Sequence, residues 1–309
     1  MTVLLKVFAQ MAMLIIIGII LRKTRVIDDR IQTGLSNILL KTVLPFNVIA
    51  SSQYEYSNEM VRSLGAVAIS AFCYYLFALI FMVHITKHMK IQEKERIVLI
   101  LTSIFANTGF VGFPLMQSIY GGQGLLLAAC YTMIFNVFMY SYGEHLISGK
   151  KINIKNLLMN PVSTATIIAV ILFILPWRMP QAVTDSIKLY GDMTVPMAMV
   201  IVGSTLATVD IQKLFTDKYS YVCSAFRMVI FPGIMLGAMV LLRQFISISP
   251  VTASTIVLMT GLPCGSVAVI YSERYDCAPK FAARNFCQSI VFMVITIPLL
   301  TVVTSLLFK

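Results

Sequence analysis

Apolar residues along the chain run in blocks of about 20, interrupted by short polar or basic stretches. They show neither the strict alternation of a strand nor the single apolar stripe of a surface helix. A helix rises about 1.5 Å per residue and needs about 20 apolar residues to cross the hydrocarbon. The pattern predicts ten such spans, at 2–21, 33–52, 61–85, 96–120, 122–147, 158–176, 184–207, 218–243, 250–273 and 279–306. Their connections are short, so the reading is an all-α polytopic membrane protein forming one membrane domain over 1–309.

Composition agrees. Of 309 residues, 58% are hydrophobic and 12% charged, against about 25% charged in soluble domains. An ordinary soluble enzyme is excluded. The net charge of +11 would suggest nucleic acid if the basic residues formed a patch or tail. Instead, fifteen of the 24 lie in odd-numbered loops, among them Arg22, Lys23, Arg25, Arg30, Lys87, Lys90, Lys94, Arg96, Lys150, Lys151, Lys155, Lys213, Lys218, Arg274 and Lys280. By the positive-inside rule those loops are cytoplasmic and both termini face outside, in a multi-pass cell-membrane protein with lipid, not nucleic acid, around it.

The six cysteines form no CxxC pair, and no His or Cys stands at ligand spacing, so neither disulfide, metal nor cofactor is expected. All but Cys277 lie in apolar stretches. The first apolar run is too long for a signal-peptide core and has its basic cluster after it, which reads as a retained helix.

Ten spans divide into five plus five, and an odd number per half inserts the second half upside down. The repeats are 1–147 and 158–309. Pro45 and Pro196 lie 151 residues apart, Pro114 and Pro263 149 apart, and Asn136 and Asn285 also 149 apart. Spans four and nine each combine helix breakers: Asn107, Thr108, Gly109, Gly112 and Pro114 in one, Gly261, Pro263, Gly265 and Ser266 in the other. Counting from Arg96 and from Val251 puts both breaks near the midplane. Unpaired backbone there must be buried or line a watery cavity, and half-helix N-termini meeting at the break would favour an anion.

At these residues the sequence resembles the auxin efflux carrier family, which includes the plant PIN-formed auxin exporters and prokaryotic relatives. The stretches are ANTGFVGFPLMQSIYG, LLMNPVSTATII, VPMAMVIVGSTLA and GLPCGSVAVIYSERY. The resemblance implies a ten-helix inverted repeat whose spans four and nine cross at Pro114 and Pro263, with substrate beside the crossing. It implies a homodimer in which spans one, two, six and seven form a scaffold and three to five and eight to ten move as an elevator. Asn107 falls on the family's substrate-binding asparagine. Only Ser148 to Leu157 connects spans five and six, so the long loop of many plant members, with its phosphoregulation, has no counterpart.

The candidate substrate-binding residues are Asn107, Thr108, Gly112, Pro114, Asn136, Pro263, Gly265, Ser266, Asn285 and Gln288. Asn107 reads either as a substrate contact, the preferred role, or as a group satisfying freed backbone; Thr108, Ser266 and Gln288 also suit interhelical hydrogen bonding. Lys41 and Asp192 each precede their repeat's proline by four residues. A structural ion pair is the preferred reading, proton coupling through Asp192 the other. Arg227 and Arg284 either attract an anion or snorkel and pair. Glu144 and His145 close span five as interfacial residues.

The function expected is secondary transport of a small organic anion, a carboxylate, uncoupled or coupled to a proton or sodium. The alternative within transport is a sodium- or proton-coupled cation or solute carrier of the same fold. A cation/proton antiporter would want midplane carboxylates near the crossing, and spans four, five, nine and ten offer none. An intramembrane aspartyl protease needs a second mid-span Asp beside Asp192. No phosphate-binding Walker motif is present, so ATP hydrolysis is excluded.

Overall fold

A computed structural model of the chain describes residues 2–53, 57–149, 160–175, 178–208 and 214–308. Lys150, Lys151, Lys155, Lys213, Lys309 and the start of the sixth expected span lie outside them. Every regular element among the described residues is helical; the one extended pairing is an isolated bridge described below. The helices are α1 (Thr2–Lys23), α2 (Asp29–Ile38), α3 (Leu44–Ser51), α4 (Asn58–Thr86), α5 (Glu93–Ile104), α6 (Phe113–Phe138), α7 (Glu144–Ser148), α8 (Pro161–Ile174), α9 (Gln181–Gly191), α10 (Thr194–Ala207), α11 (Lys218–Ala225), α12 (Phe231–Leu242), α13 (Pro250–Thr260), α14 (Ser266–Arg274) and α15 (Pro279–Leu307).

Among the described residues, six helical stretches are long and apolar enough to cross a membrane: Asp29–Ser51, Asn58–Thr86, Thr108–Ser148, Gln181–Ala207, Lys218–Leu242 and Pro279–Leu307. The third, of 41 residues, contains Gly121 at φ 60° and ψ −145°. That conformation suits glycine and interrupts α6 where the sequence separates spans four and five.

Proline shapes these helices in a recurring way. Pro45, Pro114 and Pro232 are each the second residue of a helix, and each helix follows a five-residue π turn, Leu39–Val43, Thr108–Gly112 and Phe226–Ile230. Proline lacks the N–H of the regular ladder, and its ring crowds the carbonyl four residues earlier. Widening the preceding turn relieves both problems.

The chain divides into two compact units. Unit one holds residues 1–65, 109–133 and 158–209. In it α1 and α10 meet backbone to backbone: a Cβ on Gly18 would lie 2.2 Å from the Val200 carbonyl oxygen, and one on Gly203 2.0 Å from that of Ile15. Small residues allow such approach where no water drives helices together. The Asn160-Pro161 pair opens α8 as N-cap and first residue, with the Asn160 side chain accepting from the Val162 and Ser163 amides at 3.0 and 3.2 Å.

Unit two holds residues 66–108, 134–157 and 210–309. Its core includes an aromatic cluster in which Tyr75 stacks on Phe105 with ring centroids 5.8 Å apart. Ser249 and Asp217 cap α13 and α11, and Asp217 also pairs with Arg284 at 3.0 Å. Arg284 is thereby tied to a neighbouring helix end, as the pairing reading holds.

Candidate functional site

Within unit two, α5 ends at Ile104 and α13 at Thr260, and the segments that follow run extended past one another. Ala106 and Cys264 form an antiparallel bridge. The Asn107 amide donates to the Pro263 carbonyl at 2.8 Å, and the Gly265 amide to the Phe105 carbonyl at 2.8 Å. The approach requires glycine, since a Cβ on Gly265 would lie 2.8 Å from the Ala106 carbonyl oxygen. Ser289 of α15 supports the pairing by accepting from the Cys264 amide at 3.0 Å. The two interrupted helices thus satisfy each other's backbone where Ala106 and Cys264 are buried in the protein.

The break in the first of them falls at Phe105–Asn107, earlier than Pro114. Gly109 to Gly112 lie in a π turn, and Pro114 is a buried residue of α6, in unit one. The pairing therefore involves Pro263 with Asn107, whereas Pro114 acts by widening the turn before it.

Behind the paired segments sits Arg227, with no solvent exposure. Its Nε donates to the Leu262 carbonyl at 2.7 Å, and Nη1 to the Ile104 carbonyl at 2.6 Å and the Tyr74 hydroxyl at 2.9 Å. Nη2 donates to the Thr260 carbonyl. The Tyr74 hydroxyl also donates to the Ile104 carbonyl at 3.2 Å. Arg227 neither snorkels nor faces the cytoplasm; it fills the place where both helices lose their continuing hydrogen bonds.

The other expected residues divide. Asn107, 3% exposed, and Thr108 lie on the paired segment with Pro263 and Gly265, and Ser266 begins α14 half-buried. Asn285 is buried and donates from Nδ2 to the Thr102 hydroxyl at 3.0 Å; its Oδ1 carries no hydrogen bond among the described residues. Gln288 donates to the Leu214 carbonyl at 3.0 Å and accepts from Ser224 at 2.7 Å, binding α15 to its neighbours. Asn136 is buried in unit two and Gly112 in unit one. At the cytoplasmic end expected for this unit, the Tyr275 hydroxyl donates to Glu144 at 3.1 Å, and the His145 ring meets Tyr142 with centroids 6.2 Å apart.

Lys41 and Asp192, both in unit one, are exposed and form no ion pair among the described residues. Equal offsets from two prolines do not imply contact. Asp192 instead accepts from Gln117 at 3.4 Å, and Asn47 donates to Gln117 and Thr194, each at 2.8 Å. Asn47, Gln117 and Asp192 line a cavity of about 330 Å³ in unit one, together with Gln53, Asp185 and Lys188. Asn47 and Gln117 escape a sequence reading; their one mark is an amide two and three residues after a span's proline.

Comparison with known proteins gives a family model described as membrane transport protein, matching residues 3–301. A transporter of Methanocaldococcus jannaschii is 21% identical over 295 residues, 93% of this chain and 94% of that protein. One of Methanothermobacter thermautotrophicus is 22% identical over 303 residues, 94% and 95% of the two chains. Auxin efflux carrier component 8 of Arabidopsis thaliana is 25% identical over 135 residues, 42% of this chain and 36% of the plant protein.

Proposed function

The chain belongs to the membrane transport protein family, in the auxin efflux carrier group that its motifs resemble, and is a multi-pass membrane transporter rather than an enzyme; from that premise we propose that it is a secondary transporter of a small organic anion, a carboxylate. The observation that carries this reading is the paired crossing with Asn107 in it. The segment after Asn107 resumes a helical course at Thr108, and α14 begins at Ser266. Helix N-termini carry roughly half a positive charge each, and an amide can donate to a carboxylate. In proteoliposomes the purified protein should exchange labelled acetate, malonate or indole-3-acetate across the membrane. Exchange of a cation and of none of the carboxylates would overturn the reading.

The movement proposed is an elevator in a homodimer built from a ten-span, five-plus-five repeat with both termini outside the cell membrane. Spans one, two, six and seven would be the scaffold. In support, α1, α2, α3, α8, α9 and α10 all fall in unit one, and α5, α7 and α11 to α15 in unit two, although residues 109–133 cluster with unit one. Spin labels on α10 and α14 should report two distances whose populations shift with bound carboxylate.

A second reading, transport coupled to a proton, is favoured by Asp192 lining the cavity of unit one beside Gln117.

A further inference from the structure

The crossing in unit two leaves four backbone carbonyl oxygens, those of Ser103, Ile104, Thr260 and Leu262, at the ends of two interrupted helices. Each helix end carries about half a negative charge, so together they present about one. A cluster of carbonyl oxygens of that kind suits a small hard cation, which takes oxygen ligands alone. We propose that Arg227 is the resident cation of this cage: a tethered guanidinium that fixes both unwound segments and cancels the negative helix ends, so that an anion arriving at the crossing meets the positive ends uncancelled.

Three features carry the assignment. The side chain is wholly buried, and a buried charge persists only where geometry satisfies it. The planar fork reaches both helix ends at once, Ile104 through Nη1 and Thr260 through Nη2, with Leu262 on Nε; a lysine ammonium is a point charge on a flexible stem and cannot span them alike. Tyr74 bonds to both the guanidinium and the Ile104 carbonyl, closing the cage on the α4 side. Arg227 touches backbone, so its role is positioning. The inference rests on the crossing and not on the identity of the solute.

The test compares purified Arg227→Lys, Arg227→Met and Arg227→Ala with the unaltered protein, reading melting temperature in detergent with added guanidinium chloride, sodium chloride, choline chloride or urea at millimolar concentration. Arg227→Ala should melt on the order of 5–10 °C lower. Guanidinium should restore at least half of that loss in Arg227→Ala and nothing in the unaltered protein; choline and urea should restore none. Arg227→Lys, which keeps the charge, should melt above Arg227→Met, which keeps the bulk. A Met variant as stable as the Lys variant, or an Ala variant equally indifferent to all four additives, would overturn the proposal. If Arg227→Ala cannot be purified, the Lys-against-Met comparison decides, and failure of both to fold would count against a role for the charge.

Discussion

The Asn107 amide and the Pro263 carbonyl meet at 2.8 Å. Through that bond, and its counterpart between Gly265 and Phe105, two segments far apart in sequence complete each other's backbone inside the membrane domain. An unsatisfied buried backbone group would cost several kcal/mol, so the pairing is what allows the chain to bury an irregular stretch and the polar side chain of Asn107.

Gly265→Ala tests the closeness of the pairing. Its new Cβ would stand 2.8 Å from the Ala106 carbonyl oxygen, so backbone must shift. We expect a destabilisation of about 1–3 kcal/mol in thermal unfolding, together with loss of carboxylate exchange. An alanine variant that melts and transports like the unaltered protein would show that the two segments can part without consequence.

Gly203→Ala probes the contact of α1 with α10 in the same way, because its Cβ would fall 2.0 Å from the Ile15 carbonyl oxygen. Here the effect should be on stability, a lowered melting temperature, while ligand affinity measured on the folded fraction stays within about twofold. Gly34→Ala, inside α2 with nothing within 4 Å, is the matched control and should stabilise by about 0.5–1 kcal/mol.

Cys277 gives a pH-dependent prediction. Burial pushes its thiol up, against the Lys94 charge that lowers it. A raised pKa means less thiolate at a given pH than a free cysteine has, and the thiolate is the reactive form. Maleimide should therefore label Cys277 slowly at pH 7.5, and its labelling should speed up only at a higher pH than that of a free cysteine. Rapid labelling at pH 7.5, read by peptide mass spectrometry, would contradict this.

Asp192→Asn addresses coupling. If the carboxylate in the unit-one cavity exchanges a proton during transport, the variant should lose the pH dependence of uptake while still binding the anion. An unchanged pH profile would remove Asp192 from the mechanism.

Much of this was legible in the residues. Apolar block length marked an all-helical chain, of whose ten expected spans six helical stretches among the described residues are long and apolar enough to cross a membrane, and the stretches ANTGFVGFP and GLPCGS marked where helices break. The count from Arg96 to Asn107 already put the first break beside the end of α5; the part played by Pro114 was less legible, because a proline can widen the turn before it instead of unwinding it, as Pro45, Pro114 and Pro232 do. Arg227 was harder still. A buried arginine is ordinarily sought beside a carboxylate, but the partners seen here include three main-chain carbonyls and a tyrosine, and carbonyls leave no mark in sequence. For Lys41 and Asp192 the expected ion pair is not formed among the described residues, since equal offsets from two prolines say nothing about distance.

The central claim, that the crossing is an anion site with Asn107 in it, is tested most directly by carboxylate binding to the purified protein and to Asn107→Ala. Thermal stabilisation should be titrated with acetate, malonate and indole-3-acetate, with and without sodium. At least one carboxylate should stabilise the unaltered protein saturably, and Asn107→Ala should fold with a similar melting temperature yet bind that carboxylate at least tenfold more weakly, a loss of about 1.4 kcal/mol. Equal affinity in the two proteins would contradict the account.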